Sequence, residues 1–389
     1  STNEEEKETI IVLGCDGYIG SALILRLLNK GYRVVGIDNL SRRDTVDNEL
    51  GSISAIPILS MANKMWYLKE YGDFEFYAID VDKDYFMLNN VIKKYQPSTI
   101  VNLAQQPSAP FSHRSREEAI NTINNNINGT LNCLYTIKEN KPDIHLIQIG
   151  SMGEYDQSMG VDIEEGTFDF IHNGRTAKDV IFPRRAPSFY HGSKIASTYF
   201  IDLAVRSWGL NVTDIMQGIV YGNWTEEIEE TGLQTRLDTD ECFGTVLNRF
   251  IVQSLIGQPL TVYGEGEPQR GFLPLNDSIQ CLMIAIENRA KGYRTWNQFA
   301  TFYSISKLAN TVQKIFLEYF HMKVNIEYIP TPRTENTNSV YYNPKVDKLK
   351  ELGFQQTRTI FQEIRYILDT VGDTDLSTLE KVVMPKIKW

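Results

Sequence analysis

The sequence predicts an α/β chain: a doubly wound parallel sheet followed by a smaller mixed α/β domain. Three observations carry this. Short apolar runs are rich in branched residues, amphipathic stretches of helical period separate them, and a glycine-rich junction marks the first change of period. The stretch "TIIVLGCDGYIGSALILRLLNKGYRVVGIDNLSRR" contains all three. Ile10 to Leu13 reads as a buried strand, Ser21 to Leu28 as a helix, "NKG" as its stop, and Tyr32 to Ile37 as the next strand. "FYAIDVDK" and "TIVNLAQQ" supply further strands. "INNNINGTLNCLYTIKEN" is a helix with Leu131, Leu134 and Ile137 on its apolar face, and its amides point to a polar cleft. "HLIQIGSMGEYD" is a buried strand from His145 to Ile149 that runs into Ser151. From about Gly218 the pattern loosens into short elements, with "FGTVLNRFIVQSLIG" an amphipathic helix and "TEEIEETGLQTRLDTDE" an acidic, solvated loop. The expected division is 9–215 and 216–389, with the chain crossing between the two around one cleft.

Composition narrows the function classes. The 389 residues are 42% hydrophobic and 23% charged, as in ordinary globular proteins. Lys plus Arg number 39 against 49 for Asp plus Glu, a net charge of −10, so no nucleic-acid partner is expected. Cys15, Cys133, Cys242 and Cys281 show no CxxC spacing, which argues against a metal site and suits a reducing cytosol. No apolar run approaches a bilayer span, and "STNEEEKET" resembles neither a signal nor a transit peptide. The expectation is a cytoplasmic protein with no membrane partner.

The glycine junction points to a dinucleotide. Gly14, Gly17 and Gly20 stand between strand and helix, where glycine permits a tight turn, close approach to a pyrophosphate and close helix packing. The helix N-terminus then offers N–H groups to the phosphates. Asp38 ends the second strand, 38 − 20 = 18 residues past the last glycine, where a carboxylate binds the adenosine ribose and repels a 2′-phosphate. Arg42 and Arg43 nearby argue for NADP, but Asp38 holds the more direct position and favours NAD. Asp80 at a strand end suits an adenine amine, and Leu103–Ala104 suits the channel to the nicotinamide. This is a Rossmann-type arrangement.

Ser151 lies beyond the carboxyl end of its strand, where ligands sit in such sheets. Tyr190 follows after 190 − 151 = 39 residues and Lys194 after four more (194 − 190). The turn, the strand-end serine and Tyr-x-x-x-Lys in this order are similar to the extended short-chain dehydrogenase/reductases, which act on sugar nucleotides. Tyrosine is a poor base at neutral pH, so an ammonium and a nicotinamide cation beside it are expected to favour the phenolate. Tyr190 then accepts a sugar hydroxyl proton as hydride leaves the carbon, with Ser151 holding that hydroxyl.

"GSMGEYD", "DIEEG", "HNGRT", "FYHGSK", "QGIVYG", "LTVYGEGEPQRGF" and "YYN" resemble the UDP-sulfoquinovose synthases, from about residue 9 to the C-terminus. That resemblance implies an NAD enzyme of the hydrolase class that takes UDP-glucose and sulfite to UDP-sulfoquinovose, as a homodimer. Where 4,6-dehydratases carry Asp-Glu after the strand-end hydroxyl, this chain has Met152 and Gly153. His191 is then the acid–base group for loss of water, with an ordinary pKa near 6.5, and Met152 an apolar floor. A 4-epimerase is the alternative, but it leaves His191 without a role. The resemblance also implies cofactor contacts from Gly14, Asp16, Gly17, Tyr18, Ile19, Gly20, Asp38, Asn39, Ser41, Arg42, Asp80, Val81, Leu103, Gln217 and Val220. Substrate contacts fall to Ser151, Gln217, Asn248, Arg249, Val262, Tyr263, Arg270 and Arg333. Plant members have an arginine where this chain has Pro107, so Arg175 in "HNGRT" is the substitute cation for sulfite.

Overall fold

The computed structural model describes residues 6–333, 341–372, 374–384 and 386–388, so most of the acidic opening "STNEE" lies outside it. Seven strands make one all-parallel sheet: β1 (Thr9–Leu13), β2 (Arg33–Asp38), β3 (Phe74–Ala78), β4 (Thr99–Asn102), β5 (His145–Ser151), β6 (Asn211–Gln217) and β7 (Tyr293–Gln298). Their order is β7-β6-β5-β4-β1-β2-β3. The chain winds one way from β1 and the other way from β4, so a crevice opens between the carboxyl ends of these two strands. β1 and β4 are buried along their whole length, as strands covered on both faces must be. β7 lies in the second half of the sequence and returns to the first layer.

Helix Tyr18–Asn29 follows β1 and buries Ala22, Leu23, Ile24 and Leu27 against the sheet. The asparagine-rich run is helical from Asn124 to Asn140, its first turn widened to a π-helix. Its amides serve tertiary contacts. Asn126 accepts from the Gln106 N–H (2.8 Å) and donates to Ser193 Oγ (3.0 Å), tying the loop after β4 to helix Phe189–Trp208. Ser188 caps that long helix, accepting the His191 N–H at 3.0 Å, and Gly209 ends it at φ 70°.

The second half has its own core of Phe250, Phe272, Leu308, Val312, Phe316, Ile364 and Ile367. Around it stand a three-stranded sheet of Ile219–Tyr221, Gln269–Pro274 and Thr301–Ser304, a parallel pair of Leu260–Tyr263 with Ile326–Ile329, and helix Val246–Leu255. Residues 225–241 are not the solvated loop expected from their acidity. They form helix Glu226–Thr231 and then a strap in which Arg236, Leu237, Thr239 and Asp240 are buried. The charges are buried because they are paired. Arg236 holds Asp47 and Asp238 at 2.9 Å, and Arg42 reaches Asp238 and Asp240 at 3.3 Å as well as Asp47. Among the described residues no helix is long and apolar enough to cross a membrane.

His145 opens β5 wholly buried, with Nε2 at 2.7 Å from Thr213 Oγ1. Burial, with Arg294 and Arg289 nearby, holds its pKa down to about 3. The folded protein therefore refuses a proton that the unfolded chain takes up below about pH 6.5, and stability must fall as pH drops. A loss of roughly 2 kcal/mol by pH 5 is expected from this residue. Melting temperatures of the protein and of His145→Gln across pH 8 to 5 check it, the variant giving the flatter curve.

Candidate active site

A cleft of about 1450 Å³ runs along the carboxyl ends of β1, β4, β5 and β6 and is walled by the second half of the chain. That is larger than a pocket for one small ligand. At its first end the glycine junction is forced by space. Gly14 has φ +79°, and a Cβ there would lie 2.5 Å from Leu103 O. A Cβ on Gly20 would lie 2.2 Å from Gly14 O. Gly14, Gly17, Gly20, Tyr18 and Ile19 line the cleft, so backbone N–H groups and a helix N-terminus meet whatever lies there. Asp38 accepts from the Asp16 N–H (2.9 Å) and the Leu40 N–H (2.8 Å), which aims its carboxylate at the cleft edge.

Both arginines that argued for a 2′-phosphate are already engaged. Arg43 is held by Asp16 at 2.9 Å, and Arg42 by Asp47, Asp238 and Asp240. Asn39, Ser41, Arg42, Val81, Leu103, Gln217 and Val220 also line the cleft. Asp80 does not: its carboxylate accepts the N–H groups of Asp82 and Lys83 and the amide of Asn39. The cradle therefore fits an unphosphorylated dinucleotide. Asp38→Ala, which removes the carboxylate from the cleft edge, is expected to weaken NAD binding roughly 10- to 100-fold. Titration calorimetry of the dinucleotide checks this, unchanged affinity counting against the assignment.

The chemistry sits at the middle of the cleft. Tyr190 and Lys194 are one turn apart on helix Phe189–Trp208, and Ser151 ends β5 opposite them. The Ser151 hydroxyl is near enough to the phenol to favour its ionised form. Lys194 is buried, donates to Ile149 O at 2.6 Å and stands 5.8 Å from the centre of the Tyr190 ring. The lysine does not lower the phenol in the protein by itself. Burial and the Glu154 carboxylate hold Tyr190 above its ordinary value, against the pull of Ser151. Burial likewise pushes Lys194 down to about 8, with Glu154 and Asp214 opposing.

His191 also departs from expectation. Burial, then Arg333 and Arg270, hold it down to about 3, so at cellular pH it is a neutral imidazole rather than a residue titrating near 6.5. Its Nδ1 lies 2.7 Å from Ser188 Oγ. In the Nδ1–H tautomer that proton goes to Ser188, and Nε2 is left as a base at the cleft wall. The space that ring occupies exists only because residue 153 is glycine: a Cβ there would lie 2.3 Å from Nε2. Met152 stands on the cleft floor among Tyr155, Phe182 and Met216.

At the far end Asn248, Arg249, Tyr263, Arg270 and Arg333 line the cleft. Asn248 accepts from the Gly222 N–H (2.9 Å), and Arg249 donates to Thr261 O (2.9 Å) and to the Tyr263 hydroxyl. Val262 turns its side chain into the second core and away from the cleft. Arg175 is outside the site altogether. It starts the second strand of hairpin Thr167–His172/Arg175–Ile181 and is exposed there, opposite His172, because the hairpin turn projects it into solvent.

Comparison with known proteins agrees with this geometry. The model of the NAD dependent epimerase/dehydratase family matches residues 10–297. The UDP-sulfoquinovose synthase of Sulfolobus acidocaldarius is 40% identical over 387 residues, covering 98% of this chain and 97% of that one. The chloroplastic UDP-sulfoquinovose synthase of Spinacia oleracea is 38% identical, covering 100% of this chain and 80% of that one. The chain belongs to the UDP-sulfoquinovose synthase family. In fold it is also like the Bacillus cereus UDP-glucuronic acid 4-epimerase solved with UDP-glucuronic acid and NAD. That likeness has a TM-score of 0.68 at 20% identity, over 93% of this chain and 98% of the epimerase.

In this member of the UDP-sulfoquinovose synthase family, the residues that sequence reasoning missed lie behind the trio. Glu154, Thr198 and Asp214 form a buried polar cluster against Ser151 and Lys194, with the half-buried Arg184 beside it. The one sequence signal was Thr198, a further helical turn beyond Tyr190 and Lys194 on the same face.

Proposed function

We propose that this chain converts UDP-glucose and sulfite to UDP-sulfoquinovose. The observation that carries the reading is the exchange beside Ser151, where His191 faces Gly153 over a Met152 floor in place of an acidic pair. NAD, when bound, supplies the hydride acceptor for C4 and a ring cation beside the phenol. Tyr190 takes the C4 hydroxyl proton while Ser151 holds that oxygen, and Lys194 stabilises the phenolate. The resulting C4 ketone acidifies the C5 proton, which neutral His191 accepts at Nε2 and passes to the C6 hydroxyl, so that it leaves as water and the imidazole is neutral again. Bisulfite sulfur bonds to C6 of the 4-keto-5-ene, the proton that bisulfite sheds goes to C5, and Tyr190 returns its proton to the C4 oxygen as the ketone takes back the hydride removed in the first step. Met152 keeps bulk water from the enone.

Arg270, Arg333 and Asn248 are placed in this reading on the diphosphate, for which arginine donates bidentately. Arg175 has no part in it. The family likeness carries a hydrolase-class homodimer, and the four buried, unpaired cysteines suit a reducing compartment such as the cytosol. Purified protein incubated with UDP-glucose and sulfite should yield a sulfonated nucleotide sugar by mass spectrometry. UDP-galactose with no sulfonate would overturn the reading in favour of a 4-epimerase.

A further inference from the structure

Glu154 is wholly buried just behind the site. One carboxylate oxygen accepts the Ser151 N–H at 2.8 Å and the other lies 3.1 Å from Thr198 Oγ1. Thr198 Oγ1 is also 2.7 Å from Asp214, which accepts the Tyr293 hydroxyl at 3.2 Å. Thr198 has one hydroxyl hydrogen, so it can donate to one carboxylate and must accept from the other in protonated form. The geometry is that of a carboxylate pair holding one shared proton. The ionisable groups that face it come from every neighbouring element: Lys194 and Tyr190 from the long helix, Arg184 from the segment before it, Tyr155 after β5, and Tyr293 from β7. Arg184 stands over the Tyr155 ring, 4.2 Å from its centre, and donates to Met216 Sδ.

We infer that Glu154 is a positioning residue of the active site: with Asp214, joined through Thr198, it supplies the negative charge that keeps the buried Lys194 ammonium charged behind the catalytic phenol. This rests on the reading that Tyr190 and Lys194 carry the first hydride step. Lys194 has no carboxylate within ion-pair distance among the described residues, so its charge depends on groups at longer range. Burial raises both carboxyls, so the pair holds its shared proton further toward neutrality than free carboxylates do. The sign follows. As pH rises the pair gains negative charge in the same range where a buried lysine would lose its proton, and the ammonium persists to higher pH.

Glu154→Gln tests this, because the amide keeps an acceptor for Ser151 and cannot ionise. The first reduction of bound NAD by UDP-glucose is followed against pH, and the Lys194 Nζ resonance is titrated by NMR, assigned with Lys194→Arg. The alkaline limb of the rate profile and the Nζ titration are both expected to move down by about one pH unit. At lower pH, where protonated Glu154 is as neutral as the amide that replaces it, the rates should converge to within about threefold. A superimposable profile, or a uniform loss at every pH with the Nζ titration unmoved, would overturn the inference. Should Glu154→Gln fail to fold, Thr198→Val removes the linking hydroxyl, raises both carboxyls and must shift the limb the same way. Tyr190→Phe runs alongside: if it keeps the transient, the hydride reading falls first and this inference with it.

Discussion

Tyr190→Phe is expected to slow the first reduction of bound NAD by UDP-glucose about 10³-fold while leaving nucleotide-sugar binding nearly unchanged. The ring keeps its place in the first turn of helix Phe189–Trp208, so only the hydroxyl beside Ser151 is lost. General acid–base groups contribute roughly 10²- to 10⁴-fold, and no other described group can replace this one. Lys194 is 5.8 Å from the ring centre and donates to a backbone carbonyl, and His191 turns its Nε2 to Gly153. Stopped-flow absorbance of the reduced cofactor checks the effect. A transient of ordinary rate would remove Tyr190 from the chemistry.

The second large effect separates the steps. His191→Ala should still reduce bound NAD with UDP-glucose but make sulfonate roughly 10²-fold more slowly, so that a 4-keto sugar accumulates. The imidazole's pKa gives the expected pH behaviour as well. A base that stays neutral down to about 3 leaves product formation without an acid limb near pH 6.5 from this residue. Moving the ring should mimic deleting it, because a methyl at position 153 would occupy the place of Nε2. Mass detection of the bound sugar and of product, with the reduction transient as control, decides the matter. If the transient is lost and a supplied 4-keto sugar is processed normally, His191 belongs to the first step instead.

What the sequence made legible was whatever local spacing dictates. Gly14, Gly20 and Asp38 are set by the geometry of a strand–turn–helix unit, and Ser151, Tyr190 and Lys194 by a strand end and a helical repeat. These positions came out together in one cleft. What was misread depends on distant partners. The acidic run 225–241 looked solvated, yet Asp240 answers Arg42 across 198 residues of chain. Arg175 looked available to the site because its motif is specific, but a hairpin register turns it outward. Tyr190 was expected to be lowered by its cationic neighbours and His191 to titrate at its ordinary value, whereas burial in the protein alone raises the first and lowers the second. Glu154 was passed over since a carboxylate in a turn usually faces water.

The strap of residues 235–243 has a consequence for how the molecule acquires its coenzyme. It walls the adenosine end of the cleft, bolted by Arg236 and Arg42 to the loop after β2, and Glu241 takes the N–H groups of Lys386 and Ile387 from the tail. Ion pairs between this strap and the loop after β2 thus border the place that the adenosine end of a dinucleotide would take, and raised salt, which weakens such pairs, should speed coenzyme exchange.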